Sequence, residues 1–185
     1  MTQMVKTFVE IGAAGFDTCL PLARSGWKGI SVEPVPYLFE RTRDQYKGLD
    51  VEVKNFAVSD NNGTVEMAVA RDDGDWLRGC SHVVSSNHIG YKLSENPHRK
   101  HDFDERITVP CVTLNYLMSF VNRVDFLKID AEGHELNILM DYSFILKPSF
   151  LKIEHKHVDD ILLRSKLEEN GYLVWTENDD IYGLI

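Results

Sequence analysis

The chain has 185 residues, of which 43% are hydrophobic and 26% are charged, and its formal net charge is −9. These proportions are typical of a globular protein, and the acidic balance argues against a face that binds nucleic-acid phosphates. Three widely spaced cysteines favour reduced thiols rather than a metal site. The chain contains no apolar stretch of membrane-span length and no signal-peptide core. We therefore expect one soluble, cytoplasmic domain over residues 1–185 that binds neither nucleic acid nor membrane.

The first predicted element is a buried strand that ends in a glycine-rich turn. An apolar run over residues 5–11 leads into Gly12-Ala13-Ala14-Gly15, and a helix is predicted over 18–25. Pro21 must lie in the first turn of that helix, so we place the helix cap at Asp17 or Thr18. Such a strand, turn and helix lets the backbone approach a ligand above the helix N-terminus.

The rest of the chain alternates between strand and helix patterns. Further helices are predicted over 37–46, 113–120, 135–140 and 158–170. Further strands are predicted over 29–33, 51–58, 106–112, 124–130, 150–155, 172–175 and 181–184. The Asn62-Gly63 turn predicts that residues 64–70 fold back antiparallel. This alternation indicates an α/β fold with a mostly parallel sheet and helices on both faces.

Residues 71–106 interrupt the alternation. The stretch is polar, contains four of the seven histidines (His82, His88, His98 and His101) and has no long apolar period. We interpret it as a substrate-side excursion over the active face, inserted in the single domain. Its Trp76 could stack on a sugar ring. The excursion has no pattern that identifies the acceptor.

Polar residues follow the predicted strands at their carboxyl ends. Glu33 lies 33 − 12 = 21 residues after Gly12, close to the spacing of about 20 for an acid that binds ribose hydroxyls. Asp130 and the pair Glu154-His155 end later strands. In such sheets, ligands bind beyond the carboxyl ends of the strands. A ribose-containing ligand is predicted there, either a nicotinamide dinucleotide or S-adenosylmethionine.

The glycine pattern favours the second ligand. A dinucleotide fingerprint laid from Gly12 needs glycine at positions 14 and 17, where the chain has Ala14 and Asp17. A carboxylate at the helix start repels a pyrophosphate. Glu10 and Asp17 instead suit the ammonium and sulfonium groups of S-adenosylmethionine, which acids bind directly or through water. We therefore predict a cationic cofactor.

The sequence as a whole resembles the FkbM family of methyltransferases. The blocks that carry the resemblance are Val9-Glu10-Ile11-Gly12-Ala13-Ala14-Gly15, Val32-Glu33-Pro34-Val35-Pro36, Asn55-Phe56-Ala57-Val58-Ser59-Asp60, Val109-Pro110-Cys111-Val112-Thr113-Leu114, Asp125-Phe126-Leu127-Lys128-Ile129-Asp130-Ala131-Glu132-Gly133-His134-Glu135 and Ile153-Glu154-His155. The resemblance implies a Rossmann-like class I fold with a seven-stranded sheet. It also implies methyl transfer from S-adenosylmethionine, usually to a hydroxyl of a sugar or small metabolite. Two features differ: Ala14 replaces a common Asn, and the helical extension often found before the first strand is absent.

The resemblance also implies roles for individual residues. Gly12, Ala13 and Gly15 would line the methionine part of the cofactor, and Glu33 would hold its ribose. Pro34 would pack on the adenine. The predicted cofactor site comprises Glu10, Gly12, Ala13, Gly15, Asp17, Thr18, Glu33, Pro34, Ala57 and Val58, the last two forming the opposite adenine wall.

Asp130 is the first catalytic candidate, because methyl transfer needs a positioned oxygen nucleophile that loses its proton. It could orient the cofactor, accept that proton or bind a divalent metal. Glu154 and His155 are the other candidates, although strand alternation directs them to opposite faces. Asp130, Glu154 and His155 are acceptable metal ligands, but no spacing demands an ion, so no metal is predicted. Glu132 could cap the following helix or act in catalysis.

Three functions remain open at this stage. The first is an O-methyltransferase that acts on a saccharide or small molecule, and the second is a nicotinamide-dependent oxidoreductase. The third is a non-catalytic member of the fold that binds the cofactor or scaffolds partners. The sequence does not identify the acceptor, the general base or the oligomeric state.

Overall fold

The computed structural model describes residues 4–16, 18–70, 76–84, 103 and 105–185. Its strands are β1 (Thr7–Ile11), β2 (Lys28–Val32), β3 (Val51–Lys54), β4 (Ala57–Ser59), β5 (Gly63–Val69), β6 (His82–Val83), β7 (Glu105–Thr113), β8 (Phe126–Ile129), β9 (Phe150–Glu154), β10 (Leu173–Glu177) and β11 (Asp180–Leu184). Its helices are α1 (Leu20–Arg24), α2 (Pro36–Gln45), α3 (Leu114–Met118), α4 (Glu135–Asp141) and α5 (Asp160–Glu169), and a 3-10 helix covers Trp76–Cys80.

Seven of these strands form the main sheet, in the order β10-β11-β9-β8-β1-β2-β3. The strands from β3 to β9 in this order are parallel, and β11 and β10 close the sheet antiparallel. The predicted Rossmann-like α/β fold, with a mostly parallel seven-stranded sheet, is confirmed. The order reverses beside β1, so the carboxyl ends of β1, β2 and β8 meet where a ligand is expected.

The alternation of side chains along β1 explains the two layers of helices. Val9 and Ile11 point into the core that α3, α4 and α5 cover. Phe8 points to the other face, where it packs with Leu20 and Ala23 of α1. Because successive strand side chains face opposite sides, a strand buried on both faces reads as a nearly continuous apolar run. Between Phe8 and Ile11, the buried Glu10 interrupts that run.

A second, four-stranded sheet has the order β4-β7-β5-β6 and corrects one prediction. The predicted strand over 51–58 is divided: β3 stays in the main sheet, and β4 pairs parallel with β7 in the second sheet. The prediction that residues 64–70 fold back antiparallel is confirmed. The strand β5 pairs with β7 and β6 rather than with the strand before the turn, since β7 lies between β4 and β5.

Helix α1 is shorter than predicted and begins differently. Its N-cap is Cys19, whose side chain makes no capping hydrogen bond, and Pro21 lies in the first turn as expected. The predicted cap at Thr18 is therefore wrong. Asp17, the other predicted cap, lies outside the described residues. None of the helices within the described ranges has the length and apolar composition that a bilayer-spanning helix requires.

Most of the predicted excursion over 71–106 lies outside the described residues, including His88, His98 and His101. Its described parts are the 3-10 helix, β6, Val84, Phe103 and the start of β7. His82 is buried in β6, where its ring lies 5.4 Å from the ring of Phe103. This part of the excursion therefore packs as part of the second sheet.

Candidate active site

The turn after β1 has an unusual backbone. Gly12, Ala14 and Gly15 all have positive φ, at 77°, 48° and 64°. Glycine adopts these angles without steric cost, whereas alanine does so rarely. The Ala14 N–H points towards β2 and donates a 2.7 Å hydrogen bond to Glu33 Oε2. That bond holds the strained alanine in place.

Gly12 is required at its position by the close approach of β8. A Cβ atom on Gly12 would lie 1.7 Å from the carbonyl oxygen of Asp130. The Gly12 carbonyl accepts a 2.8 Å hydrogen bond from Lys128 Nζ, which also lies 3.3 Å from Asp130 Oδ2. Lys128 is buried, and the charges of Asp130 and Glu10 outweigh the effect of burial and raise its pKa. This ammonium group joins the glycine-rich turn to the end of β8.

Glu33 follows β2 and is 3% exposed. Its two carboxylate oxygens accept hydrogen bonds from the backbone N–H groups of Ala14, at 2.7 Å, and Val35, at 2.8 Å. Burial raises its pKa to about 7, although these two hydrogen bonds act in the opposite direction. Each oxygen has a second lone pair, so the carboxylate can still accept hydrogen bonds from hydroxyl groups.

Glu33 and Asp130 line one pocket at the carboxyl edge of the main sheet. The second sheet and the 3-10 helix form its far wall. The lining residues are Ile11, Gly12, Ala14, Phe16, Val32, Glu33, Pro34, Val35, Leu38, Ala57, Val58, Met67, Arg78, Gly79, Ser81, Val83, Asp130, Ala131 and Glu132. Aliphatic side chains dominate one part and carboxylates another, which suits a ligand with an apolar ring, hydroxyl groups and a positive charge.

Five of the ten predicted cofactor residues line this pocket: Gly12, Glu33, Pro34, Ala57 and Val58. Pro34 and Ala57 reach it from different elements, as the predicted adenine walls require. Asn55 helps to join those elements, because its side-chain amide donates to the carbonyls of Glu33 and Pro34 at 2.9 and 3.0 Å. The residues suit the adenosine part of S-adenosylmethionine, because a carboxylate can accept hydrogen bonds from ribose hydroxyls and apolar side chains can pack on a base.

Glu10 lies in the buried layer beneath the turn and does not line the pocket. Its Oε2 accepts hydrogen bonds from Ser31 Oγ at 2.7 Å and from the Tyr46 hydroxyl at 2.9 Å. Its Oε1 is buried and has no hydrogen-bond partner among the described residues. Because β2 and Tyr46 hold the carboxylate below the pocket surface, this position does not favour direct contact with a cofactor ammonium. Contact through water stays a prediction.

The remaining predicted cofactor residues lie around the turn. Ala13 is buried, and Thr18 is exposed before α1. Gly15 faces the Arg41 side chain, and its carbonyl accepts a 2.8 Å hydrogen bond from Gln45. Within the described part of the chain these three residues do not line the pocket. The prediction for Asp17 concerns a residue outside the described ranges, so the acids observed at the pocket are Glu33, Asp130 and Glu132.

A group of carboxylates lies where β8 and β9 end. Asp130, Glu135 and Glu154 each place an oxygen within 4.8 Å of the others, and Glu132 joins Glu154 in a second such group. Glu135 accepts hydrogen bonds from the N–H groups of Ala131, at 2.6 Å, and Gly133, so it braces the turn before α4. Glu132 has a positive φ of 52° in that turn. Its predicted role as a helix cap is not observed, because the N-cap is His134.

Mutual repulsion and burial act together on these acids. Burial, followed by the charges of Asp130 and Glu135, raises the pKa of Glu154 to about 8. Burial and the neighbouring charges of Glu154 and Asp130 also raise the pKa of Glu132. An acid with a raised pKa beside a pocket is a candidate for proton transfer or for binding a cation.

The two histidines near the end of β9 lie in different places. His155 Nε2 lies 3.3 Å from the Asn178 carbonyl, near the β10–β11 turn. His157 Nε2 lies 3.7 Å from Glu132 Oε2, and His157 belongs to the group formed by Glu132 and Glu154. The catalytic role predicted for His155 stays a prediction, but the histidine that joins the acids is His157.

Several pocket residues were missed by sequence reasoning. Phe16 and Arg78 face each other, with the guanidinium carbon 4.5 Å from the ring centroid. Met67 and Val83 come from the second sheet. The alternation of Val65, Met67 and Val69 could have predicted a half-buried strand, but the sequence does not say that its buried face packs against Val35 and Leu38. No sequence pattern identifies His157 as a site residue, apart from its separation of two residues from His155.

Comparison with solved structures supports the fold. The fibrillarin pre-rRNA processing protein of Methanococcus jannaschii is 11% identical, with a TM-score of 0.50 over 97% of this chain and 66% of that chain. A precorrin-6y C5,15-methyltransferase from Geobacter metallireducens is 12% identical over 98% of this chain and 79% of that chain, with a TM-score of 0.48. The fibrillarin structure, at 11% identity, supports the fold alone. This chain spans about two thirds of the length of the fibrillarin protein.

The family comparison is more specific. No curated protein matches the chain significantly. The family model described as "Methyltransferase FkbM domain" matches residues 9–174, which include the glycine-rich turn, Glu33, Asp130 and Glu154. Family and fold together support S-adenosylmethionine-dependent methylation in general, and the oxidoreductase alternative gains no support. Because the match covers most of the chain, the protein belongs to the FkbM methyltransferase domain family.

Proposed function

We propose that this protein is an O-methyltransferase that transfers the methyl group of S-adenosylmethionine to a hydroxyl of a sugar or small metabolite. The observation that carries the proposal is the pocket that Glu33 and Asp130 share with apolar walls from two sheets. When bound, S-adenosylmethionine supplies an electrophilic methyl group on a positively charged sulfur. The acidic end of the pocket favours that charge.

Four pocket residues bind the cofactor in this proposal. Glu33 accepts hydrogen bonds from ribose hydroxyls through the lone pairs that its two backbone partners leave open. Pro34 packs against the adenine on one side, and Ala57 and Val58 pack on the other. Van der Waals contact with these rigid backbone-linked groups orients the cofactor at low entropic cost.

Asp130 orients the acceptor hydroxyl and takes its proton. Its side chain is 35% exposed and lies 3.3 Å from Lys128 Nζ, so it is fixed on one side and open to the pocket on the other. A carboxylate in this position can act as a general base, which typically contributes 10²- to 10⁴-fold to a rate. Glu154 lies beside Asp130, and its Oε2 has no hydrogen-bond partner among the described residues, so it is a second candidate for proton transfer.

The test is methyl transfer by the Asp130→Asn variant. The wild-type protein is incubated with S-adenosylmethionine and panels of methyl glycosides and small hydroxylated compounds, and S-adenosylhomocysteine and the methylated product are measured by mass spectrometry. We expect Asp130→Asn to lower kcat/KM at least about 10²-fold, since the asparagine cannot accept the proton. Cofactor affinity, measured by calorimetry, should change little. Asp50→Asn, whose carboxylate is exposed and pairs with Lys28, is the matched control.

Two results would contradict the proposal. Full activity of Asp130→Asn would remove the assigned role of Asp130. Cofactor binding without turnover on any hydroxyl, or methylation of peptide amides instead, would favour a non-catalytic member or another acceptor class.

A further inference from the structure

A mixed set of ligand groups lies beside the proposed methyl-transfer site. Glu132 in the turn before α4, Glu154 at the end of β9 and His157 just beyond it place one ligand atom each within 4.8 Å of the others. Glu132 also lines the cofactor pocket. The three residues come from two chain segments, so the packing of β8 against β9 creates the group.

The spacing of the ligand atoms is compatible with a shared cation. Glu132 Oε2 and His157 Nε2 are 3.7 Å apart, longer than the hydrogen-bond range of about 2.7–3.2 Å. Ligand atoms about 2.1 Å from a six-coordinate ion lie about 3 Å apart when adjacent and about 4.2 Å apart when opposite. The 3.7 Å separation lies between these two values.

A second observation is the state of Glu154. Its Oε2 is shielded from solvent and accepts no hydrogen bond from the described residues, although a buried acceptor normally has a donor. It is also the residue shared by both carboxylate groups, being close to Asp130 and Glu135 as well. Lys128 is already engaged by Gly12 and Asp130, and Lys156 lies 3.5 Å from the exposed Asp179. A divalent cation would give this shielded oxygen a partner and would offset the repulsion among the neighbouring acids.

We propose that Glu132, Glu154 and His157 bind one divalent transition-metal ion, of which Mn²⁺ is the appropriate probe. Two carboxylates and one imidazole are a ligand set for hard to borderline divalent ions, and they leave positions for water or substrate oxygen. Asp130 and Glu135 lie close enough to Glu154 to surround the ion as an outer layer.

The consequence for methylation rests on the function proposed above. A cation held by Glu132, Glu154 and His157 would lower the pKa of a nearby acceptor hydroxyl. In methyl transfer, the hydroxyl proton would pass to Asp130 or solvent, and an oxygen lone pair would form the new C–O bond. The C–S bond would break with its electron pair moving to sulfur, leaving a neutral thioether.

Titration with Mn²⁺ tests the site directly, because the electron paramagnetic resonance signal of free Mn²⁺ is lost on binding. We expect the metal-free wild-type protein to bind one equivalent. Glu154→Gln and His157→Ala should each weaken binding at least about tenfold. His155→Ala is the matched control, since that histidine faces the Asn178 carbonyl, and it should bind Mn²⁺ as the wild type does. His157 is 18% exposed, so we expect His157→Ala to fold. If Glu154→Gln does not fold, the Mn²⁺ affinity of His157→Ala tests the site.

Three results would overturn the site: no bound Mn²⁺, equal affinity in every variant, or loss of binding in His155→Ala but not in His157→Ala. The proposed function is tested separately by cofactor calorimetry and methyl transfer in the presence of a chelator. Mn²⁺ binding without methyl transfer would support the metal site and contradict the proposed function. Methyl transfer without Mn²⁺ binding would support the proposed function and contradict the metal site.

Discussion

Glu33 is an acid that is both buried and hydrogen-bonded to the backbone. It is 3% exposed, and its two carboxylate oxygens fix the N–H groups of Ala14 and Val35. The carboxylate therefore shapes the glycine-rich turn before any ligand arrives. Preorganisation of this kind lowers the entropic cost of binding.

The buried position of Glu33 predicts a pH dependence of stability. Its pKa rises from an ordinary 4.5 to about 7 in the folded protein. Between these values the folded state holds more protons than the unfolded state, so stability falls as pH rises and this contribution is lost above about pH 7. Glu33→Gln, which cannot ionise, should show a shallower fall between pH 4.5 and 7. One proton accounts for at most about 1.4 kcal/mol per pH unit.

Urea unfolding at a series of pH values measures the difference between the two proteins. The exposed Glu52, whose side chain is 62% accessible, provides Glu52→Gln as the control for loss of a carboxyl group. Identical slopes for wild type and Glu33→Gln would show that the Glu33 carboxyl group does not titrate differently in the folded state.

At the residue scale, spacing predicted Glu33, Asp130 and Glu154 but not His157. Glu33 could be found because its distance from Gly12 is set by one strand–helix–strand unit. The chain leaves β9 after Glu154 and turns, with the Val158 N–H bonded to the His155 carbonyl at 3.2 Å. This turn brings His157 to the acids, and strand periodicity does not extend into it.

Among the elements, β8 connects the core to the site through Lys128. Its register places Lys128 between Glu10 on β1 and Lys152 on β9, and its last residue is followed by Asp130. Lys128 is 3% exposed and binds both the Gly12 carbonyl and Asp130. The strand therefore holds the glycine-rich turn and the catalytic candidate in one arrangement.

Lys128→Met should destabilise the protein by about 3 kcal/mol or more, because it leaves buried or partly buried carboxylates without their cation. The matched control is Lys152→Met, at the paired position on β9. Lys152 lies 2.9 Å from Asp180, and both side chains are about a quarter exposed, so its loss should cost about 1 kcal/mol or less. Chemical denaturation measures both values. Equal losses for the two variants would contradict the role of Lys128.

The element scale also shows where prediction from sequence reached its limit. The alternation of strands and helices predicted the main sheet, but the strand predicted over 51–58 divides after Lys54. Ala57 pairs with Cys111, more than fifty residues later, and no local pattern encodes so distant a partner. The turn at Asn62-Gly63 reverses the chain as expected, whereas its pairing depends on β7.

The whole molecule places its pocket between two sheets. The main sheet supplies the glycine-rich turn, Glu33 and Asp130 at its carboxyl edge, and the second sheet supplies Met67 and Val83. A flat ring can be enclosed by the aliphatic walls while the charged part of a ligand reaches the acids. This division of apolar and acidic surface supports the proposal of a cationic cofactor rather than a diphosphate.

Isothermal titration calorimetry with S-adenosylmethionine and with NAD⁺ tests that claim most directly, using the wild-type protein and Glu33→Gln. The account predicts one equivalent of bound S-adenosylmethionine, no heat from NAD⁺ and at least about tenfold weaker binding by the variant, since a charged hydrogen-bond acceptor for the ribose is lost. Binding of NAD⁺ in preference to S-adenosylmethionine, or equal cofactor affinity of wild type and Glu33→Gln, would contradict it.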